Sequence, residues 1–239
     1  PVIIPFYKDN NLSAFQILLV QAVFSASMLL FEIPSGYFSD RCGRKRTLVA
    51  GGIAVCIGLL IYCFSSSLIL FMLCEVFLGF GFSMCSGTES ALLYDTLHAE
   101  GKVSDYRKKE SHAEFFARVG AALSSVAGGF LGSISLRLPF FCNAVTAVMI
   151  PLSAAFMRDV SKTEPRRSGV MKEIIDAVFF SIRHPVILSA GFVSGAVLTC
   201  GIISIWGYFL ILPELKIPLS AYGLLFFFFQ TFSALGARF

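Results

Sequence analysis

Charge is what this sequence has least of. Its 239 residues include 19 Lys or Arg and 15 Asp or Glu, 14% of the chain, against about 25% in soluble domains. That deficit excludes an ordinary soluble protein. Tryptophan occurs once and histidine three times. All three histidines, His98, His112 and His184, lie in charged segments between apolar runs. There is no Gly-x-Ser-x-Gly elbow, no His-Glu-x-x-His zinc helix and no phosphate-binding loop, so hydrolytic and nucleotide-dependent catalysis lack a foothold. The seven cysteines form no Cys-x-x-Cys pair and mostly sit inside apolar stretches, which excludes a disulfide scaffold and a cysteine metal site. No metal, cofactor or enzymatic activity is expected.

Apolar residues are what the sequence has in abundance: 56% of the chain, with 26 phenylalanines and 20 glycines. A charge-free stretch of about 18 or more residues can cross the ~30 Å hydrocarbon core as a helix. Such stretches run from Asp9 to Glu32, Arg118 to Arg137, Arg137 to Arg158, His184 to Glu214 and Lys216 to Arg238. From Thr47 to Thr88 the only charge is Glu75, and Ser65-Ser66-Ser67 divides that stretch into two crossings. The expected spans are 13–33, 47–64, 68–93, 114–135, 138–157, 186–212 and 219–237, preceded by the end of another at residues 1–7. Only helices and closed barrels satisfy the backbone in lipid, and the alternation of a barrel strand is absent. The expected fold is an all-α polytopic transmembrane bundle. The chain opens on Pro1 without a methionine and stops at Phe239 just after a span, so an excerpt of a longer protein is expected.

Orientation follows from the basic residues in alternate loops. One side holds Arg41, Arg44, Lys45 and Arg46, then Lys102, Arg107, Lys108, Lys109 and Arg118, then Arg158, Lys162, Arg166, Arg167, Lys172 and Arg183. The other holds Lys8, Arg137 and Lys216. The basic side is expected to face the cytoplasm, across the plasma membrane. Solvated loops beside anionic lipid account for the net charge of +4, and no nucleic-acid partner is expected. The segment 158–185 reads as a cytoplasmic linker between an N-terminal bundle, residues 1–157, and two helices of a second bundle, residues 186–239. Within it Met171, Ile174, Ile175, Val178 and Ile182 share one helical face, the pattern of an amphipathic interfacial helix.

The loop after the second crossing runs Gly36-Tyr37-Phe38-Ser39-Asp40-Arg41-Cys42-Gly43-Arg44-Lys45-Arg46. Gly36 allows close helix approach, Asp40 can receive backbone donors or cap a helix start, and Gly43 permits a tight reversal. Arg44 follows Asp40 by four residues, with Asp95 and Glu114 as further acids beside the basic loops; Glu114 and Arg118 have helical pair spacing. A cluster of this kind either anchors the loop or acts as a conformational latch. The run resembles the loop between the second and third helices of the major facilitator superfamily, matching at Gly36, Asp40, Arg41, Gly43, Arg44 and Lys45, with Phe38 and Ser39 where leucine and alanine are usual. The resemblance implies two six-helix bundles that rock around a central site, a steadying role for this loop at the cytoplasmic gate, a monomeric working unit, and four further helices beyond this sequence. Two departures stand out. Glu75 occupies the place of an arginine found in many proton-coupled members, and the fifth crossing has Gly120, Gly128, Gly129 and Gly132 without a glycine-proline pair.

Acids inside spans are costly in lipid and mark cavities, partners or aqueous paths. Glu75 lies seven residues into the fourth crossing, and Glu89 fourteen residues further falls near the same face of a straight helix. Between them run Gly79, Gly81, Ser83, Ser86, Gly87 and Thr88, a small, polar stripe that either lines a path or lets helices close up. Glu32, just before Pro34, is expected at a helix end, facing a path or pairing with the basic loop. Gln16, Gln21, Asn143, Thr146 and Gln230 are further intramembrane polar groups, and Gly128/Gly132 and Gly191/Gly195 read as helix-packing pairs. The expected function is secondary transport of a small solute by alternating access, with protons as candidate coupling ion and Glu75 as candidate carrier. A non-transporting sensor or scaffold on the same fold is the alternative, told apart by the absence of solute flux.

Overall fold

In the computed structural model, residues 2–158, 179–180, 183–212, 215 and 218–236 are described. They form helices α1 (Ile3–Asp9), α2 (Ala14–Cys42), α3 (Arg44–Phe64), α4 (Leu68–Cys85), α5 (Thr88–Ala99), a short 3-10 turn (Val103–Asp105), α6 (Tyr106–Ile134), α7 (Leu138–Ala147), α8 (Met149–Phe156), α9 (Pro185–Ile211) and α10 (Leu219–Gly236). Among the described residues no strand occurs. Among the described residues, five stretches are long and apolar enough to cross a membrane: Ala14–Cys42, Arg44–Phe64, Leu68–Ala99, Val103–Ile134 and Leu138–Phe156. The amphipathic segment expected at 171–183 lies largely outside the described residues.

Local chemistry sets the helix ends. Ser13 caps α2 through a reciprocal box: its Oγ accepts from the Gln16 N–H at 3.3 Å, while Gln16 Oε1 accepts from the Ser13 N–H at 2.9 Å. The helix then continues through Pro34 to Cys42, nine residues past the expected end. Proline removes one backbone bond there, but the residues beyond it have a packed face, with Ser35 and Ser39 buried. Gly43 turns the chain at φ 97°, a left-handed value that glycine adopts without strain. At the other end Ser65 closes α3 and Ser67 opens α4, accepting from the Leu70 N–H at 3.4 Å. Ser65 Oγ donates back to the Ile61 carbonyl at 2.7 Å.

Helices α3 and α4 pack at glycine contact distance. A Cβ built on Gly81 would lie 2.6 Å from Val55 Cγ2 and 2.8 Å from the Gly51 carbonyl oxygen. On the other face of α4, a Cβ on Gly79 would meet Ser27 Cβ at 2.7 Å and the Phe24 carbonyl at 2.9 Å, so α2 is held as closely as α3. Gly52 receives Pro151 of α8 in the same way, with the proline ring at 2.7 Å. The small-residue stripe of the fourth crossing therefore forms a seam between helices at Gly79 and Gly81. Gly36 is different: nothing lies within 4 Å of a Cβ there, and the close approach expected of it does not form among the described residues. The face of α2 that carries it is exposed.

By its contacts the chain divides into two units, one holding α1–α8 and α10, the other holding α9. In the first, α10 lies along α6, where Ser125 Oγ donates to the Gly223 carbonyl at 3.1 Å. A Cβ on Gly223 would stand 2.5 Å from the Ser125 carbonyl oxygen and 3.3 Å from Gly129 Cα. In α9, nothing lies within 4 Å of a Cβ on Gly191 or Gly195, so that pair marks no close packing among the described residues. Leu29, Leu30, Ile69, Phe130, Val145 and Phe156 are among the large apolar side chains left exposed, a surface suited to lipid.

Candidate functional site

Two polar clusters stand at opposite ends of the first unit. The first forms where α2 turns into α3. Arg44 Nη1 lies 2.7 Å from Asp40 Oδ1 and donates to Ser39 Oγ at 2.9 Å, while its Nε lies 3.4 Å from Asp95 Oδ2 of α5. Thr88 Oγ1 donates to Ser39 Oγ at 3.2 Å, adding a second link between α5 and the end of α2. One arginine thus joins three helices. Gly43 makes the arrangement possible, because its reversal starts α3 one residue after α2 stops. Lys45, half-buried, follows in the first turn of α3. Arg41 stands outside this cluster: its Nη1 donates to Tyr37 Oη at 2.5 Å, one turn back on the same helix. Asp40, Gly43 and Arg44 are brought together as their spacing predicts, and Asp95 is the partner drawn in from α5. Arg118 and Glu114 pair at 3.3 Å on α6.

The second cluster surrounds Glu75. The residue is only 3% exposed, and its carboxyl receives side chains from three other helices. Tyr62 of α3 donates to Glu75 Oε1 at 2.5 Å, Tyr7 of α1 at 3.1 Å and Gln21 Nε2 of α2 at 3.4 Å. The hydroxyls of Tyr7 and Tyr62 also touch each other. Aromatic rings enclose the group: Tyr7 packs edge-on to Phe71 at 5.1 Å, and Tyr62 stacks on Phe140 of α7 at 5.2 Å with an interplanar angle of 6°. Phe6 abuts both Phe71 and Phe140.

The three oxygens of Tyr7, Tyr62 and Glu75 make three mutual contacts. Two tyrosine hydroxyls supply two hydrogens, enough for both to donate to an ionised carboxylate. A proton on Glu75 supplies a third and completes the set of contacts. The cluster has a hydrogen-bonded arrangement for either state of the carboxyl.

Beside this cluster lies a cavity of about 350 Å³ lined by α1, α3, α4, α7 and α8, including Val55, Leu59, Tyr62, Phe82, Asn143 and Thr146. Its wall is largely apolar with a few polar groups, the usual make-up of a small-molecule site.

The other acids fall elsewhere. Glu89 is exposed in the first turn of α5, and the helix breaks at Ser86, where φ is −48° and ψ −108°. The common face expected for Glu75 and Glu89 assumed one straight helix, and this break removes it. Glu32 lies inside α2 and is exposed, so it is neither at a helix end nor paired with Arg44. Gln16 serves as a cap, whereas Asn143 and Thr146 line the cavity. Tyr7 and Tyr62 escaped the reading of the sequence, although a tyrosine inside an apolar span needs a partner for its hydroxyl, and that requirement is a usable signal.

A family model described as Major Facilitator Superfamily matches residues 1–239. Among curated proteins, Multidrug resistance protein 2 of Bacillus subtilis (strain 168) is 24% identical over 159 residues, covering 66% of this chain and 38% of the relative. Tetracycline resistance protein, class H, of Pasteurella multocida is 24% identical over 166 residues, with 66% and 38% covered. Quinolone resistance protein NorA of Staphylococcus aureus (strain MRSA252) is 23% identical over 164 residues, with 68% and 41% covered. The matched segments thus span about two-fifths of the length of these relatives. With the family model matched from end to end, and a helical architecture with five membrane-length stretches to agree with it, the chain belongs to the Major Facilitator Superfamily.

Proposed function

We propose that this chain carries the N-terminal bundle and the start of the second bundle of a secondary transporter, one that moves a lipophilic, drug-sized solute by alternating access in exchange for protons. The observation that carries the coupling is the buried Glu75 carboxyl, joined to Tyr7, Gln21 and Tyr62 from three other helices. A carboxyl at that depth is costly unless it has a use or a full set of partners. The oxygen cluster accommodates it both with and without a proton. That is the property a gradient-driven cycle requires.

The solute class rests on two supports. The adjacent cavity is mostly apolar and about 350 Å³, within the ~300–1,000 Å³ of drug-sized sites. The relatives bear names of multidrug, tetracycline and quinolone resistance. The Asp40–Arg44–Asp95 cluster serves in this reading as the cytoplasmic latch, closed when α2, α3 and α5 are clamped together. The basic loops then face the cytoplasm, and residues 1–157 and 186–239 contribute to the two bundles.

Flux tests the proposal. Full-length protein in proteoliposomes, with an imposed proton gradient, is expected to accumulate tetracycline. Glu75→Gln is expected to abolish gradient-driven accumulation while leaving the protein folded. Undiminished, gradient-dependent accumulation in Glu75→Gln refutes coupling through this carboxyl, and absence of any flux in folded wild type favours the non-transporting alternative.

A further inference from the structure

Tyr62 belongs to both halves of the proposed site. Its side chain lines the cavity, beside Val55 and Leu59 of its own helix, while its hydroxyl donates to Glu75 at 2.5 Å. Among the described residues it is the one member of the carboxyl cluster that lines this cavity; Tyr7, Gln21 and Glu75 do not. The ring lies in a parallel stack on Phe140, which lines the cavity as well. A solute seated there meets the stacked pair directly and reaches the carboxyl only through it.

We propose that Tyr62 is the residue that couples solute occupancy to proton occupancy. The inference rests on the reading of Glu75 as proton carrier. A solute packed against the Tyr62–Phe140 stack holds the ring in the pose in which its O–H donates to the carboxylate. A hydrogen bond to the charged form favours that form, so the Glu75 proton departs to water as the solute binds, and the tyrosine keeps its own hydrogen. By reciprocity, a proton on Glu75 weakens solute binding by the same factor. Tyr62 is in this sense a positioning residue for the exchange.

The other titratable groups near the carboxyl do not supply the link. Tyr7 on α1 donates to the same oxygen from outside the cavity lining. Cys74, next to Glu75, lies 3.6 Å from Ser65 Oγ, and Cys63 Sγ donates to the Leu59 carbonyl at 3.3 Å. On α1, Lys8 and Asp9 follow Tyr7 and are exposed, and Arg137 lies with its guanidinium over the Phe6 ring at 5.6 Å and donates to the Cys63 carbonyl. On α2 the titratable groups, Glu32, Tyr37, Asp40, Arg41 and Cys42, all belong to the half of the helix nearer the latch.

The test is a proton count on purified full-length protein in weakly buffered detergent solution. Tetracycline fluorescence reports binding, and a pH-indicator dye reports release. Wild type is expected to release on the order of one proton per tetracycline bound. Tyr62→Phe keeps the ring and removes the hydroxyl, so it is expected to bind tetracycline with a Kd that no longer depends on pH while releasing under about a tenth as many protons. Tyr7→Phe takes a donor from the same carboxyl without touching the cavity wall and is expected to keep solute-linked release. Release from Tyr62→Phe equal to wild type, or its loss in Tyr7→Phe alone, overturns the proposal. Should Tyr62→Phe not fold, Phe140→Leu takes its place, since it removes the stack and leaves the hydroxyl; unchanged release there overturns the proposal too. Glu75→Gln separates the two readings: if it still releases protons on binding, the carrier assignment fails, whereas wild-type release from Tyr62→Phe with none from Glu75→Gln sinks only the role of Tyr62. Absence of saturable tetracycline binding to wild type overturns the cavity assignment and the inference with it.

Discussion

Arg137, in the turn between α6 and α7, donates from Nη1 to the Cys63 carbonyl at 2.8 Å, 74 residues back along the chain. Cys63 lies in the last turn of α3, where the final four carbonyls lack intrahelical partners. The same guanidinium lies over the Phe6 ring of α1. One side chain therefore ties α1, α3 and the α6–α7 turn at the end of the unit where Glu75 is buried, opposite the Arg44 cluster.

Loss of that tie is expected to destabilise the protein. Arg137→Ala removes a charged donor, worth about 1.5–3 kcal/mol, and a cation–π contact worth about 0.5–1 kcal/mol at a partly exposed site. Thermal melting of the full-length protein in detergent is expected to show a lower Tm, with Arg137→Lys intermediate because a lysine carries charge without the planar fork. An unchanged Tm for Arg137→Ala contradicts the brace.

At the other end, Arg44 is expected to matter more than either acid alone. Its side chain is 19% exposed, against 31% for Asp95 and 61% for Asp40. Exposed pairs contribute about 0.2–1 kcal/mol, so Asp40→Ala is expected to shift stability little. Arg44→Ala loses contacts to Asp40, Ser39 and Asp95 together and is expected to cost about 1–3 kcal/mol. A double-mutant cycle between Arg44 and Asp95, read by melting, is expected to give a coupling of about 0.5 kcal/mol or more; a null coupling removes Asp95 from the Arg44 cluster.

Packing at Gly81 gives a prediction of a different kind. A methyl group there must displace Val55 Cγ2 at 2.6 Å, and the Gly51 carbonyl and the Val55 nitrogen at 2.8 and 2.9 Å. Overpacking of this kind costs about 1–3 kcal/mol. Gly81→Ala is expected to lower Tm, and adding Val55→Ala is expected to restore only part of it, because two of the three near atoms are backbone. Full recovery in the double variant contradicts a backbone-limited seam.

Legibility in the sequence follows the range of the physics involved. Spans were readable because exclusion of charge from lipid is a local constraint, and the turn at Gly43 because a left-handed residue declares itself. Asp40 and Arg44 were readable through their helical spacing, and Asp95 as one of several acids near the basic loops. The errors came where a helix departs from the ideal. The run of α2 through Pro34 put Glu32 in a helix interior, and the break at Ser86 removed Glu89 from the face of Glu75. Tyr7 and Tyr62 are 55 residues apart, and no periodicity relates them. Only tertiary packing shows that they share a carboxyl.

That packing yields a prediction about Glu75 that is independent of transport. Removal of the carboxyl strands buried groups built around it: the Tyr7 and Tyr62 hydroxyls, both residues at 1% exposure or less, and the Gln21 amide. An unsatisfied buried donor costs about 1–3 kcal/mol. Glu75→Ala adds a cavity to that loss, so it is expected to be the most destabilising substitution in the cluster, and Glu75→Leu is expected to recover packing but not hydrogen bonding. Glu75→Gln retains an acceptor oxygen at the position of Oε1 and is expected to melt closest to wild type. The order in Tm is therefore Gln above Leu above Ala, measured on full-length protein in one detergent at one pH. If Leu melts at or above Gln, the hydroxyls have found other partners and the carboxyl is not the centre of the cluster.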